Sequence, residues 1–134
     1  MIKLSSIKRL LRKKMNCRVC RSAEGELKEF PFEILEILLR NPLSHQDVYI
    51  HRCKGCGLIY VGLGIQAYDD NLAYWAQATD SEISRLRSLK DTPELFESTK
   101  KLIESKVSHI YGAFDGKYYF KNEPAFILSD MPPW

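Results

Sequence analysis

Tyr49-Ile50-His51-Arg52-Cys53-Lys54-Gly55-Cys56-Gly57-Leu58-Ile59-Tyr60 is the stretch that decides the fold. Val48-Tyr49-Ile50-His51-Arg52 before the cysteines and Leu58-Ile59-Tyr60-Val61 after them are rich in residues that favour strands. Between them, two residues separate Cys53 from Cys56, a spacing that lets one tight turn aim both sulfurs at a single point. Gly55 and Gly57 flank Cys56, where such a knuckle needs close backbone approach and a positive φ. The reading is strand, cysteine knuckle, strand.

Working outward, the chain has four cysteines, and the other two form a second pair, Cys17-Arg18-Val19-Cys20. No cysteine is left over. In a reducing compartment, cysteines at this spacing point to a metal rather than to disulfides. A dithiol redox role would need only one pair, within a βαβ setting that neither pair has. Zinc takes four ligands in a tetrahedron, and two knuckles supply four thiolates. We therefore expect Cys17, Cys20, Cys53 and Cys56 to ligate one structural Zn²⁺. Four sulfurs leave no position for a water, so we assign no catalytic and no cofactor-binding residue. Arg18, Arg21, Arg52 and Lys54 lie within or beside the knuckles, where cations favour thiolates. His45 and His51 lie near the second pair and read as surface or packing residues. His109 reads as a helical residue that is not a ligand.

Length and charge set the frame. The chain has 134 residues, 45% hydrophobic and 28% charged, a globular balance that excludes full disorder. No apolar window reaches the roughly 18 residues of a membrane-spanning helix. Net charge is +3, but it is unevenly spread. Residues 1–22 carry eight cations and no acid, leaving 12 cations against 17 anions in the remainder. The basic start has no apolar run of about seven residues and no small-residue cleavage site, so we expect no secretory leader and a cytoplasmic location.

Taken together, Cys17-x-x-Cys20, Phe30-Pro31-Phe32-Glu33-Ile34 and the Tyr49–Tyr60 stretch resemble the zinc ribbon that precedes the catalytic domain in many bacterial class I S-adenosylmethionine-dependent methyltransferases. Tyr68-Asp69-Asp70-Asn71-Leu72-Ala73-Tyr74-Trp75 is similar to the tyrosine-rich stretch that follows such ribbons, and Ser81 to Val107 to their helical lead into the catalytic fold. Arg21 stands where such ribbons usually carry glycine. The resemblance implies a methyltransferase-related module. Only 72 residues, 63–134, follow the ribbon, room for at most two βαβ units where a doubly wound cofactor fold has about six strands. We therefore expect a module that is truncated and non-catalytic alone, with any methyl transfer supplied by another chain. Two shorter motifs carry less. Gly62-Leu63-Gly64-Ile65-Gln66-Ala67 has the spacing of a dinucleotide loop but reads as a loop leaving the ribbon. Met131-Pro132-Pro133-Trp134 after Asp130 resembles the Asp-Pro-Pro-Trp loop of amino-group methyltransferases, with Met131 interrupting it, and reads as a proline-rich end.

The expected fold class is α+β: a small antiparallel four-cysteine zinc ribbon with a basic N-terminal helix and a C-terminal helical segment. The expected divisions are 1–15 for the basic amphipathic helix, 16–62 for the ribbon and 63–134 for a helical linker with a short aromatic tail. On the first of these, Ile2, Leu4, Ile7, Leu10, Leu11 and Met15 approximate one stripe. Lys8, Arg9, Arg12, Lys13 and Lys14 would then suit nucleic-acid phosphates, the alternative function. Pro31 to Arg40 reads as either a buried helix or a strand: the resemblance implies extended structure near Glu29–Ile34, whereas Leu35–Arg40 favours helix, ended at Asn41-Pro42. Ser81 to Lys90 reads as a helix capped by Asp80 or Thr79, and Thr92-Pro93-Glu94 starts a second. The stripe Leu95, Phe96, Thr99, Leu102, Ile103, Val107 and Ile110 is expected to need a partner along 93–110: a catalytic domain, another protein or a second copy. Tyr118–Phe120 and Phe126–Leu128 are expected to pair as strands.

Overall fold

The structure is a computed structural model describing residues 17, 19–20, 25–27, 29–41, 46–67, 70–112 and 117–127. The expected basic helix over 1–15, His45 and the Met131–Trp134 end lie outside the described residues. The strands are β1 (Glu26–Leu27), β2 (Phe32–Asn41), β3 (Gln46–Cys53), β4 (Ile59–Ala67), β5 (Asp70–Gln77), β6 (His109–Gly112) and β7 (Tyr118–Lys121), with α1 (Asp80–Ser88) and α2 (Glu94–Glu104) between β5 and β6. All these strands belong to one seven-stranded sheet ordered β1-β7-β6-β5-β4-β3-β2. Every pairing is antiparallel.

The order places β1 and β2, which are consecutive in the chain, at opposite edges. A flat seven-stranded sheet would be about 29 Å across. The five chain steps from Leu27 to Phe32 reach only about 17 Å. The sheet must therefore curl, and Phe30 in the crossing segment lies over its inner face, 5.7 Å from the Trp75 ring and 5.2 Å from Tyr118 between centroids.

Strand alternation sends side chains to two cores. On the outer face Val48, Ile50, Val61, Leu63, Tyr74 and Ala76 pack against Ile83 and Leu86 of α1 and Leu95, Phe96 and Ile103 of α2. On the inner face Phe32, Tyr60, Trp75 and Ile110 gather with Cys17, Cys20 and Cys53.

Several expectations are corrected. The boundary at 62 falls inside β4, and β5, β6 and β7 extend the same sheet, so 63–134 is not a helical linker among the described residues. Residues 35–40 are strand, not helix. The pairing of β2 with β3 slips between Ile34 and Glu36 and again between Ile37 and Leu39. Each slip adds an unpaired residue, which breaks the two-residue period and leaves the leucines at helix-like spacing. The α2 stripe is covered by the chain's own sheet and α1, so it needs no partner. The helix stops at Glu104; Val107 is 81% exposed and Ile110 lies on β6. Tyr118–Lys121 pairs with β6 rather than with residues 126–128. The Thr92 hydroxyl donates to the Leu89 carbonyl at the end of α1 instead of capping α2.

The start of α1 is as read. Thr79 accepts from the Glu82 backbone N–H at 3.2 Å, and the Glu82 carboxylate accepts from the Thr79 N–H at 2.9 Å. Replacing Thr79 by alanine should cost about 1 kcal/mol, measured by urea denaturation. Glu82 also accepts from the Lys106 ammonium at 2.7 Å, tying the end of the helical segment to its start. Partial burial raises the Glu82 carboxyl, but the Lys106 and Thr79 hydrogen bonds outweigh it and hold it below 4.5. A carboxyl lowered in the folded state stabilises above its unfolded value and loses that contribution as pH falls through the folded one. Below about pH 4.5 the wild type should therefore lose stability faster than Glu82→Gln, by under about 1 kcal/mol for a solvent-screened pair. Urea midpoints at pH 7 and pH 3.5 check this; equal acid losses in both chains would exclude it.

Candidate metal centre

Cys53 ends β3 and Cys56 lies in the turn leading to β4. The turn is held by its own backbone. Cys53 N–H donates to the Leu58 carbonyl at 2.9 Å, and Gly57 N–H to the Cys53 carbonyl at 3.0 Å. Gly57 has φ +76°, a region that glycine enters without steric cost. Lys54 N–H donates to the Pro31 carbonyl at 2.9 Å, fastening the turn to the segment that enters β2. Gly55 is required for space. A Cβ there would lie 2.6 Å from Val19 Cγ2 and 3.0 Å from Cys17 Sγ, because the other cysteine turn is packed against it.

The two turns bring four sulfurs together. Cys17 Sγ lies 3.7 Å from Cys53 Sγ, and Cys20 Sγ lies 3.7 Å from Cys56 Sγ. All four ligand atoms lie within 4.8 Å of one another. A tetrahedron with metal–sulfur bonds of about 2.3 Å has edges of about 3.8 Å, whereas a disulfide needs about 2.05 Å. The spacing therefore suits four sulfurs around one ion, and all four cysteines are free. The sequence-predicted ligands Cys17, Cys20, Cys53 and Cys56 are thus brought to one place, where they could hold a metal ion.

Burial shapes the thiols. It pushes the Cys20 thiol up and the Cys56 thiol up to about 11. At Cys17 burial also raises the thiol, but hydrogen bonds from the Cys20 and Val19 backbone outweigh it and leave it lowered. A divalent ion must displace protons from such thiols, so its affinity weakens as pH falls. Donors already face the sulfurs: Gly55 N–H to Cys53 Sγ at 3.3 Å and Tyr60 O–H to Cys20 Sγ at 3.4 Å. Both would steady the −2 charge of a divalent tetrathiolate.

Arg52 is exposed and pairs with Glu33 on β2. Arg18 and Arg21 lie outside the described residues. His51 is engaged away from the sulfur cluster: its Nδ1 accepts from the Trp75 indole N–H at 2.9 Å. Burial pushes its imidazole down to about 4, so it stays neutral. It is a packing residue, stacked near Phe32 and Tyr49. His109 begins β6 rather than lying on a helix, and its Nδ1 bonds the Glu123 carbonyl at 2.7 Å.

The aromatic layer beneath the cysteines was missed in the sequence. Phe32 lies 4.7 Å from Tyr60 and 5.6 Å from Trp75 between ring centroids. Trp75 is seated on two glycines. A Cβ on Gly62 would lie 2.5 Å from Trp75 Nε1, and one on Gly112 would lie 3.1 Å from Cζ3. Gly62 and Gly64 lie in β4 and not in a loop, so the dinucleotide-like spacing carries no such chemistry. Glycines inside a β-favouring run are the signal that a bulky neighbour crosses there. No helix among the described residues is long and apolar enough to cross a membrane. Comparison with protein families, with curated proteins and with solved structures finds no match.

Proposed function

We propose that Cys17, Cys20, Cys53 and Cys56 hold one structural Zn²⁺, and that the chain serves as a zinc-clamped binding module with no catalysis of its own. The observation that carries this is the sulfur geometry, 3.7 Å across each of two cross-turn pairs. Four soft thiolates in a tetrahedral arrangement favour zinc. The ion supplies charge neutralisation and a cross-link between two turns, not an open coordination position. The residues that resemble the ribbon of bacterial methyltransferases support a place beside such an enzyme, in the cytoplasm, with methyl transfer performed by a separate chain. Calorimetry with S-adenosylmethionine tests this: no binding is expected from the chain alone, and tight binding would overturn the non-catalytic reading.

One observation favours a second reading, nucleic-acid binding. Eight cations and no acid within residues 1–22 form a footprint suited to phosphates. If Lys8, Arg9, Arg12, Lys13 and Lys14 neutralise phosphates, affinity for DNA or RNA must fall steeply with salt, and a shift assay over a salt series measures it. No shift at low salt would remove this reading.

A further inference from the structure

The inner face of the curled sheet holds a cavity of about 220 Å³, separate from the sulfur cluster. Its lining includes Phe30, Tyr49, His51, Trp75 and Tyr118, with Gly64 contributing bare strand backbone. Four aromatic rings around so small a space suit a flat ring system better than an aliphatic chain. One polar group adds direction. The Trp75 indole can only donate, so its bond to His51 Nδ1 leaves the imidazole proton on Nε2. His51 is 3% exposed, and Nε2–H has no hydrogen-bond partner among the described residues. A buried donor without an acceptor is unfavourable, and a ligand acceptor would satisfy it.

We propose that this cavity binds a nucleobase, a planar heteroaromatic ring that stacks on the aromatic lining and accepts a hydrogen bond from His51 Nε2. The size accommodates one base and leaves a sugar outside. Among the described residues no cation lines the cavity, so recognition rests on stacking and one hydrogen bond and not on phosphate. The proposal does not depend on which metal the cysteines hold. The base could arrive as a free nucleoside or as an unpaired residue of a single strand.

The test uses the full metal-loaded chain, titrated by calorimetry or NMR with adenosine, with cytidine, with a short unpaired oligonucleotide and with hexanol as an aliphatic control. Gly64→Val is the decisive variant. A Cβ at Gly64 would meet Asp47 at 3.4 Å, ordinary contact, and Gly64 lines the cavity, so a valine side chain there is expected to take up ligand space without breaking the strand. Tyr49→Leu keeps the apolar bulk and removes one stacking face. We expect saturable binding by a nucleoside or the oligonucleotide, weakened about tenfold or more in both variants, the scale of one lost base–aromatic stack. The thermal midpoint should stay unchanged in Gly64→Val and fall by a few degrees in Tyr49→Leu, which gives up its stack on His51. Binding by nucleosides identifies a free base as the source, and binding by the oligonucleotide alone identifies a strand. No saturable binding in the millimolar range, binding that persists in Gly64→Val, or equal binding of hexanol would overturn the proposal.

Discussion

Replacing Cys53 by serine is expected to release the metal and to abolish the packed inner face. A structural zinc contributes about 10–16 kcal/mol of apparent binding free energy, and a whole domain is stable by only about 5–15 kcal/mol. Cys53 is the ligand most embedded in the sheet. It is buried, it ends β3, it pairs with Phe32 across the ladder, and its sulfur accepts from Gly55 N–H. Without the ion, three thiols and a serine hydroxyl crowd together at the end of an aromatic core with no cross-link between the turns. The outer face is a separate core, in which the sheet packs on α1 and α2. The expected result is therefore selective. Near-ultraviolet circular dichroism from Phe32, Tyr60 and Trp75 should collapse while much of the helical far-ultraviolet signal survives, and stability should fall by at least about 5 kcal/mol. Chelation of the wild type should reproduce the effect, and added zinc should reverse it. An unchanged near-ultraviolet spectrum in Cys53→Ser would contradict this.

The second large effect is expected at Gly62. Valine there puts a Cβ 2.5 Å from Trp75 Nε1, 2.6 Å from Cδ1 and 3.2 Å from His51 Nδ1. Trp75 has little room to retreat, since its far edge already lies against Gly112. Overpacking costs about 1–3 kcal/mol, and breaking the buried Trp75–His51 hydrogen bond adds about 1–3 kcal/mol. Gly62→Val should thus lose about 4 kcal/mol in denaturant unfolding. Gly64→Val, two residues along the same strand, should lose almost nothing, because its Cβ meets only ordinary contact. Equal losses at the two positions would show that strand backbone, not the Trp75 contact, explains the glycines.

The knuckle was legible because its determinants are local. Two residues between cysteines, glycines beside Cys56 and β-favouring flanks all act within a dozen positions, and β3, β4 and their turn follow from them. Thr79 is local in the same way: of the two caps read for α1, Asp80 or Thr79, the structure has Thr79, and Glu82 completes the cap. What stayed hidden depends on distant partners. The slips in β2 are defined by β3, and without β3 the leucines read as helix. Gly62 read as a loop residue because its reason, Trp75, lies on the next strand. The closure of β1 on β7 joins residues nearly a hundred positions apart, Leu27 opposite Tyr118, and no periodicity announces it. The α2 stripe was read correctly as buried over Leu95, Phe96, Thr99 and Ile103, but its cover is a sheet whose later strands, β5 to β7, were not foreseen as part of it. The division at residue 62 failed for the same reason.

The sulfur cluster depends on both kinds of determinant, since local spacing proposes the ligands and the curled sheet brings residues 17 and 20 to residues 53 and 56. X-ray absorption at the zinc edge, on protein purified with its own metal, tests it most directly. One zinc per chain with four sulfur neighbours at about 2.3 Å is the predicted result. A mixed nitrogen and sulfur shell, or a metal-free protein with paired disulfides, would contradict it.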